Sequence, residues 1–336
     1  MSPTPTIPSE PIPSELNTFS SVPESHVWSK TEDFASNDQK SIPIVDLTDP
    51  NASDILGQAC ESWGIFQLTG HGIPEELVEQ VVFQAQRFFA LPTDQKMKAA
   101  RLPGDIAGYG VSPLSKFYDK GFWNEGITMM GSPLDHVKKV WPDDYQQFCD
   151  AMEEYRAKMT ELATTLANLA FSSFNVAEEK LQWLNTPGYA GVHLNHYPPC
   201  PNPDRTIGLA AHTDNTLLTI VHQSGADGLQ VFEKSVGWVL VKPVKGAFII
   251  NVGDVLEVLS NGRYPSALHR VMVNQALPRI SVAYYIGVGP DLELSPPDEV
   301  LEYTGGIKRY RSMPAGEYMG LKLKNLDQNP VSLLGI

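Results

Sequence analysis

The spacing of apolar residues along the chain changes near Gly191. Before that point, apolar residues recur at three- and four-residue intervals, which is the period that places them on one face of an α-helix. Three segments have this pattern: 54–63, 74–89 and 148–174. Pro74 is typical of a first helical turn and is predicted to begin the second helix. We interpret the apolar stripe of 148–174 as core packing and not as a cofactor-binding face.

After Gly191, short β-prone runs alternate with turns that contain glycine. The runs are 192–197, 217–221, 228–232, 238–241, 247–252, 269–274 and 280–286. Many short strands at nearly regular spacing are typical of a sandwich, a jelly roll or a barrel. Two further runs of this kind, 42–46 and 64–69, lie in the first half of the chain. The pattern therefore predicts an α+β protein whose second half is mostly strand.

Four regions follow from these patterns. Residues 1–40 begin with a Pro- and Ser-rich stretch that has few large apolar side chains, which indicates a disordered lead-in. Residues 41–185 are predicted to form a mixed helical and strand region that packs on a core of residues 186–310. Residues 311–336 are predicted to form a helical tail. Within the second region, 104–133 is expected to be irregular, and loops of that length are usually functional or mobile.

Composition and charge narrow the classes of partner. The 39 Asp and Glu residues outnumber the 25 Lys and Arg residues, which argues against nucleic acid or an anionic membrane as the main partner. No run approaches the roughly 18 apolar residues of a membrane span. The start lacks the basic and apolar segments of a secretory signal. Three widely separated cysteines, Cys60, Cys149 and Cys200, predict no disulfide framework and a reducing, cytosolic location.

Two histidines and one aspartate in the β-rich half have the residue types of a metal site. His212 and Asp214 are two positions apart, so on a strand both side chains point to the same face. His269 lies in another strand-like run and has to complete the group from across the fold. Two imidazoles and one carboxylate are the ligands of non-haem Fe(II) oxygenases. Zinc or manganese in a non-catalytic jelly roll needs the same ligands, so these residues alone leave both alternatives open.

Arg279 and Ser281 favour the oxygenase. They are also two apart in a strand-like run, and a guanidinium with a nearby hydroxyl offers three donors to a carboxylate. Because a buried Arg is costly without a partner, Arg279 indicates a bound anion. The alternative is an ion pair with a nearby Glu or a position at the rim. Tyr197, which precedes this pair in the sequence, is a further donor for the same anion.

The motifs of several other enzyme classes are absent from the sequence. It contains no GxxxxGK[ST], GxGxxG, HExxH or GxSxG. A P-loop enzyme, a dinucleotide-dependent dehydrogenase, a zincin and an α/β-hydrolase therefore gain no support.

Taken together, the motifs resemble those of the plant 2-oxoglutarate- and Fe(II)-dependent dioxygenases. The site motifs that carry the resemblance are Asn195-x-Tyr197-Pro-Pro-Cys-Pro, His212-x-Asp214, His269 and Arg279-x-Ser281. Further matching segments are Ile42-Pro-Ile-Val-Asp46, Trp63-Gly-Ile-Phe66, His71-Gly72 and Asn251-Val-Gly-Asp254. The resemblance spans about residues 40 to 320. Within the family, the segments 108–110, 123–128, 131–134 and 209–219 are most similar to the gibberellin 3-beta-dioxygenases.

The resemblance implies a double-stranded β-helix (jelly-roll) core flanked by helices. The residues that it assigns to Fe(II) are His212, Asp214 and His269. Those that it assigns to 2-oxoglutarate are Arg279, Ser281, Tyr197 and Asn195. The implied reaction uses O2 as second co-substrate, hydroxylates a gibberellin precursor at C-3 on the β face, and releases succinate and CO2. Alternatives are a gibberellin 2-oxidase, a hydroxylase of another acidic terpenoid or phenolic, and a metal-bound jelly roll that only binds a small molecule. A monomer is expected.

A gibberellin precursor is a rigid, mostly apolar ring system with a carboxylate, so a fitting pocket is aromatic with a cationic or hydroxyl donor. The candidate aromatic residues are Tyr109, Phe117 and Trp123, and the candidate partners of the carboxylate are Lys116 and Arg101. Ordinary loop packing or solvent exposure is the alternative for each of the five.

Overall fold

A computed structural model describes residues 13–28, 36, 40–185, 188–325 and 330–336. In these residues the α-helices are α1 (Ala52–Trp63), α2 (Glu75–Phe89), α3 (Thr93–Lys96), α4 (Pro133–Val137), α5 (Gln146–Ser172), α6 (Asp254–Leu259), α7 (Asp298–Tyr303) and α8 (Ala315–Lys322). The strands are β1 (Ile44–Asp46), β2 (Ile65–Thr69), β3 (Gly108–Gly110), β4 (Glu125–Met130), β5 (Tyr189–Tyr197), β6 (Leu209–His212), β7 (Leu218–Gly225), β8 (Leu229–Glu233), β9 (Gly237–Leu240), β10 (Phe248–Val252), β11 (His269–Val271), β12 (Arg279–Gly287), β13 (Glu293–Leu294) and β14 (Met313–Pro314).

Two sheets form the centre of the molecule. The larger has the strand order β1-β2-β10-β7-β12-β5-β4-β3, and the smaller has the order β6-β11-β8-β9. Most neighbours in both sheets are antiparallel. This arrangement, with helices packed on the larger sheet, confirms the predicted α+β class with a jelly-roll core. Side chains that face inward from both sheets are the ones available to build an internal site.

The helices bury the apolar faces that the sequence predicts. In α5, the buried residues Met152, Tyr155, Met159, Leu162 and Leu166 recur every three or four positions. This face packs on α1, α2 and the strands β5, β7 and β12. Burying each such side chain contributes about 1.5–3 kcal/mol before the entropy cost of folding is subtracted. The helical layer therefore holds the back of the larger sheet rigid while the other face of that sheet stays available for a site.

The segment 104–133 is more regular than predicted, and the expectation of an irregular loop is wrong for much of it. β3 and β4 lie in it and extend the larger sheet beyond β5. Five of the six residues in β4 are buried. Because β4 is covered on both faces, its sequence lacks the alternation of polar and apolar residues that would reveal a half-exposed strand.

The expectation of a disordered lead-in is wrong for residues 13–28. Leu16 and Val22 are buried in the same apolar cluster as Trp123. The Trp28 indole donates to the Gly121 carbonyl at 3.0 Å. Residues 1–12, 29–35 and 37–39 lie outside the described part of the chain. Leu16 and Val22 are therefore enough to attach this otherwise polar segment to the cluster that contains the Trp123 indole.

The three cysteines Cys60, Cys149 and Cys200 are free and buried, as the absence of a disulfide framework predicts. Burial raises the pKa of the Cys60 thiol to about 12, which keeps it protonated. In the part of the chain that the structure describes, no helix has both the length and the apolar character needed to cross a bilayer.

Candidate metal and co-substrate site

Neighbouring strands of the smaller sheet bring together the two histidines and the aspartate predicted to bind a metal. His212 ends β6, His269 begins β11, and the two residues pair directly across the strands. Asp214 follows β6 by two residues. Its Oδ1 lies 3.7 Å from His212 Nε2 and 4.0 Å from His269 Nε2. One potential ligand atom from each residue lies within 4.8 Å of the others, so one ion can contact all three.

The backbone fixes the tautomer of both imidazoles. His212 Nδ1 lies 2.8 Å from the Ala210 carbonyl, and His269 Nδ1 lies 3.0 Å from the Ala267 carbonyl. Because a carbonyl only accepts, both Nδ1 atoms carry the hydrogen and both Nε2 atoms present a lone pair toward Asp214. Hydrogen bonds of this kind orient metal-binding histidines in other proteins.

The charges of the three groups suit a metal. Burial, followed by the neighbouring His269, lowers the pKa of His212 to about 3, so this ring is neutral at physiological pH. Burial alone would raise the pKa of Asp214, but the two imidazoles bring it below its ordinary value. The Asn251 amide also donates to Asp214 Oδ2 at 3.4 Å. Two neutral nitrogens and one carboxylate form the ligand set that the sequence predicts for Fe(II).

Arg279 gives the clearest indication of an anion-binding role. Its side chain is only 3% exposed, and Nη2 donates to Gln223 Oε1 at 2.8 Å. Nε and Nη1 are buried and have no hydrogen-bond partner among the described residues. Native structures rarely leave two buried guanidinium donors unused. A carboxylate that enters the cavity from the metal side would satisfy both, so the residues present fit an anionic co-substrate.

The strand register explains how the other predicted co-substrate residues reach Arg279. β12 pairs with β5 so that Arg279 lies opposite Tyr197 and Ser281 lies opposite Asn195. The Arg279 guanidinium carbon lies 5.1 Å from the centre of the Tyr197 ring, and Asn195 Nδ2 donates to Ser281 Oγ at 3.4 Å. All four side chains, together with the three potential metal ligands, line one inner cavity of about 40 Å³.

A second, outer cavity of about 220 Å³ opens from the same three-residue group. It shares His212, Asp214, Asn195, Leu209 and Tyr285 with the inner cavity. Its apolar wall consists of Ile106, Pro113, Leu114, Phe117, Met130, Met319 and Leu323. An apolar molecule held there would have one end beside the metal and the co-substrate.

The structure places only one of the five predicted substrate residues in this outer cavity. Phe117 lines it and is 37% exposed. Tyr109 is 1% exposed and its hydroxyl donates to Glu125 at 2.5 Å, so it belongs to the core. Trp123 is fully buried, with Phe19 at 6.3 Å and His26 at 6.0 Å between ring centres. Placing Tyr109 and Trp123 in the pocket was wrong, because Tyr109 packs against Phe88 in the core and the N-terminal segment covers Trp123.

The two predicted partners of the substrate carboxylate also lie elsewhere. Lys116 is exposed, and its Nζ lies 4.9 Å from the centre of the Phe117 ring. Arg101 donates to the carbonyls of Ile106 at 3.2 Å and Val111 at 2.8 Å. Neither cation lines the outer cavity. Arg101 instead holds the loop that supplies Ile106 to the cavity wall.

Sequence reasoning missed several residues that form the outer cavity. Tyr285 is in phase with Arg279 and Ser281 on β12, so the alternation of that strand was an available signal. The C-terminal helix α8 and the residue that follows it contribute Met319, Lys322 and Leu323. Their local sequence contains no pattern that predicts a position in a cavity wall.

Lys322 and Asp254 join the C-terminal helix to the metal loop. Lys322 Nζ forms an ion pair with Asp254 and donates to the Thr213 carbonyl at 2.7 Å. The Tyr318 hydroxyl donates to Asp254 Oδ2 at 2.7 Å, and the Asp254 backbone N–H donates to the Asp214 carbonyl at 2.8 Å. α8 therefore supports the backbone on which one predicted metal ligand lies.

Comparison with known proteins agrees with this geometry. Residues 190–288 match the 2OG-Fe(II) oxygenase superfamily, and residues 42–145 match the N-terminal domain described as "non-haem dioxygenase in morphine synthesis". The chain is 41% identical to gibberellin 3-beta-dioxygenase 1 of Pisum sativum, over 94% of this chain and 87% of that protein. It is 40% identical to gibberellin 3-beta-dioxygenase 2 of Arabidopsis thaliana, over 93% and 92%.

Solved structures show the same fold. A crystal structure of JOX2 in complex with 2OG, Fe and JA superposes with a TM-score of 0.82 at 26% identity, over 96% of each chain. The rice dioxygenase for auxin oxidation gives a TM-score of 0.72 at 25% identity, over 88% of this chain and 98% of that one. The chain therefore belongs to the 2-oxoglutarate- and Fe(II)-dependent dioxygenase family and is a dioxygenase.

Proposed function

We propose that this enzyme hydroxylates a gibberellin precursor at C-3 on the β face, consuming 2-oxoglutarate and O2 and releasing succinate and CO2. The proposal rests on two cavities that meet at His212 and Asp214. The inner cavity contains the unpartnered donors of Arg279, and the outer cavity is mostly apolar. The 36–41% identity to gibberellin 3-beta-dioxygenases of two plants supports the choice of substrate and carbon.

In this proposal, His212, Asp214 and His269 hold Fe(II). When bound, the iron supplies the activation of oxygen that is coupled to decarboxylation of 2-oxoglutarate. The two Nδ1–H bonds to backbone carbonyls keep the Nε2 lone pairs directed at the ion, so ligand geometry is set before binding. Asp214 remains ionised because its pKa lies below its ordinary value.

Arg279, Ser281, Tyr197 and Asn195 hold 2-oxoglutarate. The unused Nε and Nη1 donors of Arg279 bind the carboxylate farther from the iron, and the Ser281 hydroxyl adds another donor. Because this end of the cavity is buried, water does not compete for these hydrogen bonds. Anchoring one end of the co-substrate fixes the distance between its other end and the metal ligands.

The outer cavity binds the substrate ring system. Its apolar wall, including Phe117 and Met319, excludes water from the reacting carbon. The cation of Lys322 is neutralised by Asp254, so the hydroxyl and amide groups that line the cavity are the donors left for polar groups of the substrate.

The test is incubation of the purified protein with Fe(II), 2-oxoglutarate and isotopically labelled gibberellin precursors, followed by mass spectrometry. The expected product carries one added hydroxyl at C-3, with succinate released in equal amount. Omission of iron, omission of 2-oxoglutarate and the His212→Ala variant are the matched controls. Succinate release with no gibberellin product would overturn the substrate assignment and leave the co-substrate assignment standing.

A hydroxylase of another acidic plant metabolite is the second candidate. The structural likeness to JOX2, which was crystallised with JA, favours it. The same mass spectrometry with a panel of carboxylic acids, and with analysis for oxidation at C-2, separates this candidate and a gibberellin 2-oxidase from the first.

We also propose that residues 186–310 form the catalytic core, that 41–185 and 311–336 pack on it, and that the enzyme is a cytosolic monomer without nucleic-acid or membrane partners. The excess of 39 acidic over 25 basic residues supports the lack of polyanionic partners. Light scattering after size-exclusion chromatography tests the monomer.

A further inference from the structure

We infer that His193, oriented by Thr128, is a positioning residue for the co-substrate. It sets the direction of a chain of hydrogen bonds that runs from the outer cavity to Ser281. The inference rests on the proposed binding of 2-oxoglutarate at Arg279. It concerns a residue that touches neither the metal nor the proposed co-substrate.

The chain crosses three adjacent strands. Thr128 on β4 lies opposite His193 on β5, and Asn195 on β5 lies opposite Ser281 on β12. Thr128 Oγ1 is 2.7 Å from His193 Nδ1, His193 Nε2 is 2.7 Å from Asn195 Oδ1, and Asn195 Nδ2 is 3.4 Å from Ser281 Oγ. All four side chains are buried. Thr128 and His193 line the outer cavity, Ser281 lines the inner cavity, and Asn195 lines both.

The orientation of the Asn195 amide and the Thr128 hydroxyl together fix the direction of donation. Burial, together with the charge of Arg101, lowers the pKa of His193 to about 4, so the ring is neutral and carries one N–H. Asn195 Oδ1 only accepts, so that hydrogen is on Nε2. His193 Nδ1 is then an acceptor, and the Thr128 hydroxyl donates to it. The Asn195 amide is held with Nδ2 toward Ser281, to which it donates.

This direction matters for an anion. Because Ser281 accepts from Asn195, its hydrogen is not used in that contact and is directed to the side of the cavity that contains Arg279 and Tyr197. If the Asn195 amide turned over, its oxygen would take the Ser281 hydrogen, and Ser281 would present lone pairs to a carboxylate. Turning the amide would require the imidazole hydrogen to move to Nδ1, and the Thr128 hydroxyl would then lose the acceptor that His193 provides, so the Thr128–His193 pair opposes the turn.

The backbone provides room for this imidazole. Gly126 lies opposite Asn195 on β4. A Cβ at Gly126 would lie 3.0 Å from both Cε1 and Nε2 of His193. Any larger residue would press on the atom that donates to Asn195, so a glycine on an otherwise buried strand fits the requirement for this ring.

Calorimetric titration of 2-oxoglutarate into Fe(II)-loaded protein, without oxygen, tests the inference. The loss of one buried hydrogen bond that orients a donor to an anion predicts a Kd about tenfold higher for His193→Leu and about fivefold higher for Thr128→Val. His193→Gln keeps an N–H near Nε2 and is expected within about twofold of wild type. Since Thr128→Val only replaces a hydroxyl by a methyl group, it decides the matter if His193→Leu does not fold.

Thr160→Val is the matched control, because its partly buried hydroxyl on α5 hydrogen-bonds the Tyr284 hydroxyl at 2.7 Å, away from both cavities. It is expected to lower the melting temperature without changing Kd. An unchanged Kd in Thr128→Val, or a Kd for His193→Gln as weak as that of His193→Leu, would overturn the inference. Wild-type protein that binds no 2-oxoglutarate would instead refute the proposed function, before any variant is compared.

Discussion

The inner and outer cavities of this enzyme differ in how they are built. The inner cavity is lined almost entirely by inward-facing residues of paired strands, such as Arg279 and Ser281 on β12 and Asn195 on β5. The outer cavity combines Phe117, at the end of a short 3₁₀ helix, with Met319 of the C-terminal helix and residues of β4. All seven residues predicted to bind the metal or the co-substrate line the inner cavity. Of the five residues predicted to bind the substrate, only Phe117 lines the outer cavity. Strand alternation carries information about facing direction, and loop packing does not.

Two of the three potential metal ligands, His212 and Asp214, line both cavities, so the loss of a ligand is expected to have the largest effect. Asp214→Asn removes the anionic ligand and should lower succinate formation by roughly 1,000-fold or more. Its iron content after dialysis should fall in parallel. An active variant that keeps its iron would show that the metal is held elsewhere.

Loss of Arg279 should affect the inner cavity alone. Arg279→Met removes two charge-assisted hydrogen bonds and is expected to raise the KM for 2-oxoglutarate about 100-fold, against about tenfold for Ser281→Ala. The KM for the hydroxylated substrate should stay within about twofold of wild type. Steady-state kinetics with each substrate varied in turn measures both values, and an equal rise in the two would contradict separate cavities.

The Lys322–Asp254 ion pair attaches the C-terminal wall of the outer cavity. Both side chains are buried, so Lys322→Met leaves an uncompensated carboxylate and should lower the free energy of unfolding by about 3–5 kcal/mol. Because the pair also supports the metal loop, iron affinity is expected to fall about tenfold. Urea unfolding and metal titration check the two effects. The double variant Lys322→Met/Asp254→Asn should recover most of the stability, and no recovery would show that the charge is not the cause.

The smallest predicted effects distinguish Phe117, which lines the outer cavity, from Tyr109, which is buried in the core. Phe117→Ala removes part of the apolar wall and should raise the KM for the hydroxylated substrate about fivefold at nearly unchanged stability. Tyr109→Phe removes one donor to buried Glu125 and should instead lower the free energy of unfolding by about 1–3 kcal/mol with KM unchanged. Steady-state kinetics and thermal melts of both variants check this. A raised KM with unchanged stability in Tyr109→Phe would show that Tyr109 contacts the substrate.

The errors of prediction share one cause. Tyr109 and Trp123 looked like pocket residues because they lie in a segment without helical or strand periodicity. The structure buries both, since Tyr109 on β3 packs against Phe88 of α2 and the N-terminal segment packs on Trp123. Burial on two faces removes the alternation from which a strand is recognised. Lys322 was overlooked for a related reason, because a lone Lys on a short helix is normally exposed.

The sequence by itself predicted the candidate ligand set His212, Asp214 and His269, a candidate anion site at Arg279 and the change from helical to strand pattern near Gly191. Residues two apart on a strand share a face whatever surrounds them, so local spacing paired His212 with Asp214 and Arg279 with Ser281, whereas His269 was assigned through the resemblance to the family. Only the tertiary structure decided that the C-terminal helix closes the outer cavity and that Thr128 meets His193. Those contacts join segments more than 60 residues apart, such as Thr128 with His193, and no local period encodes which distant side chains will meet.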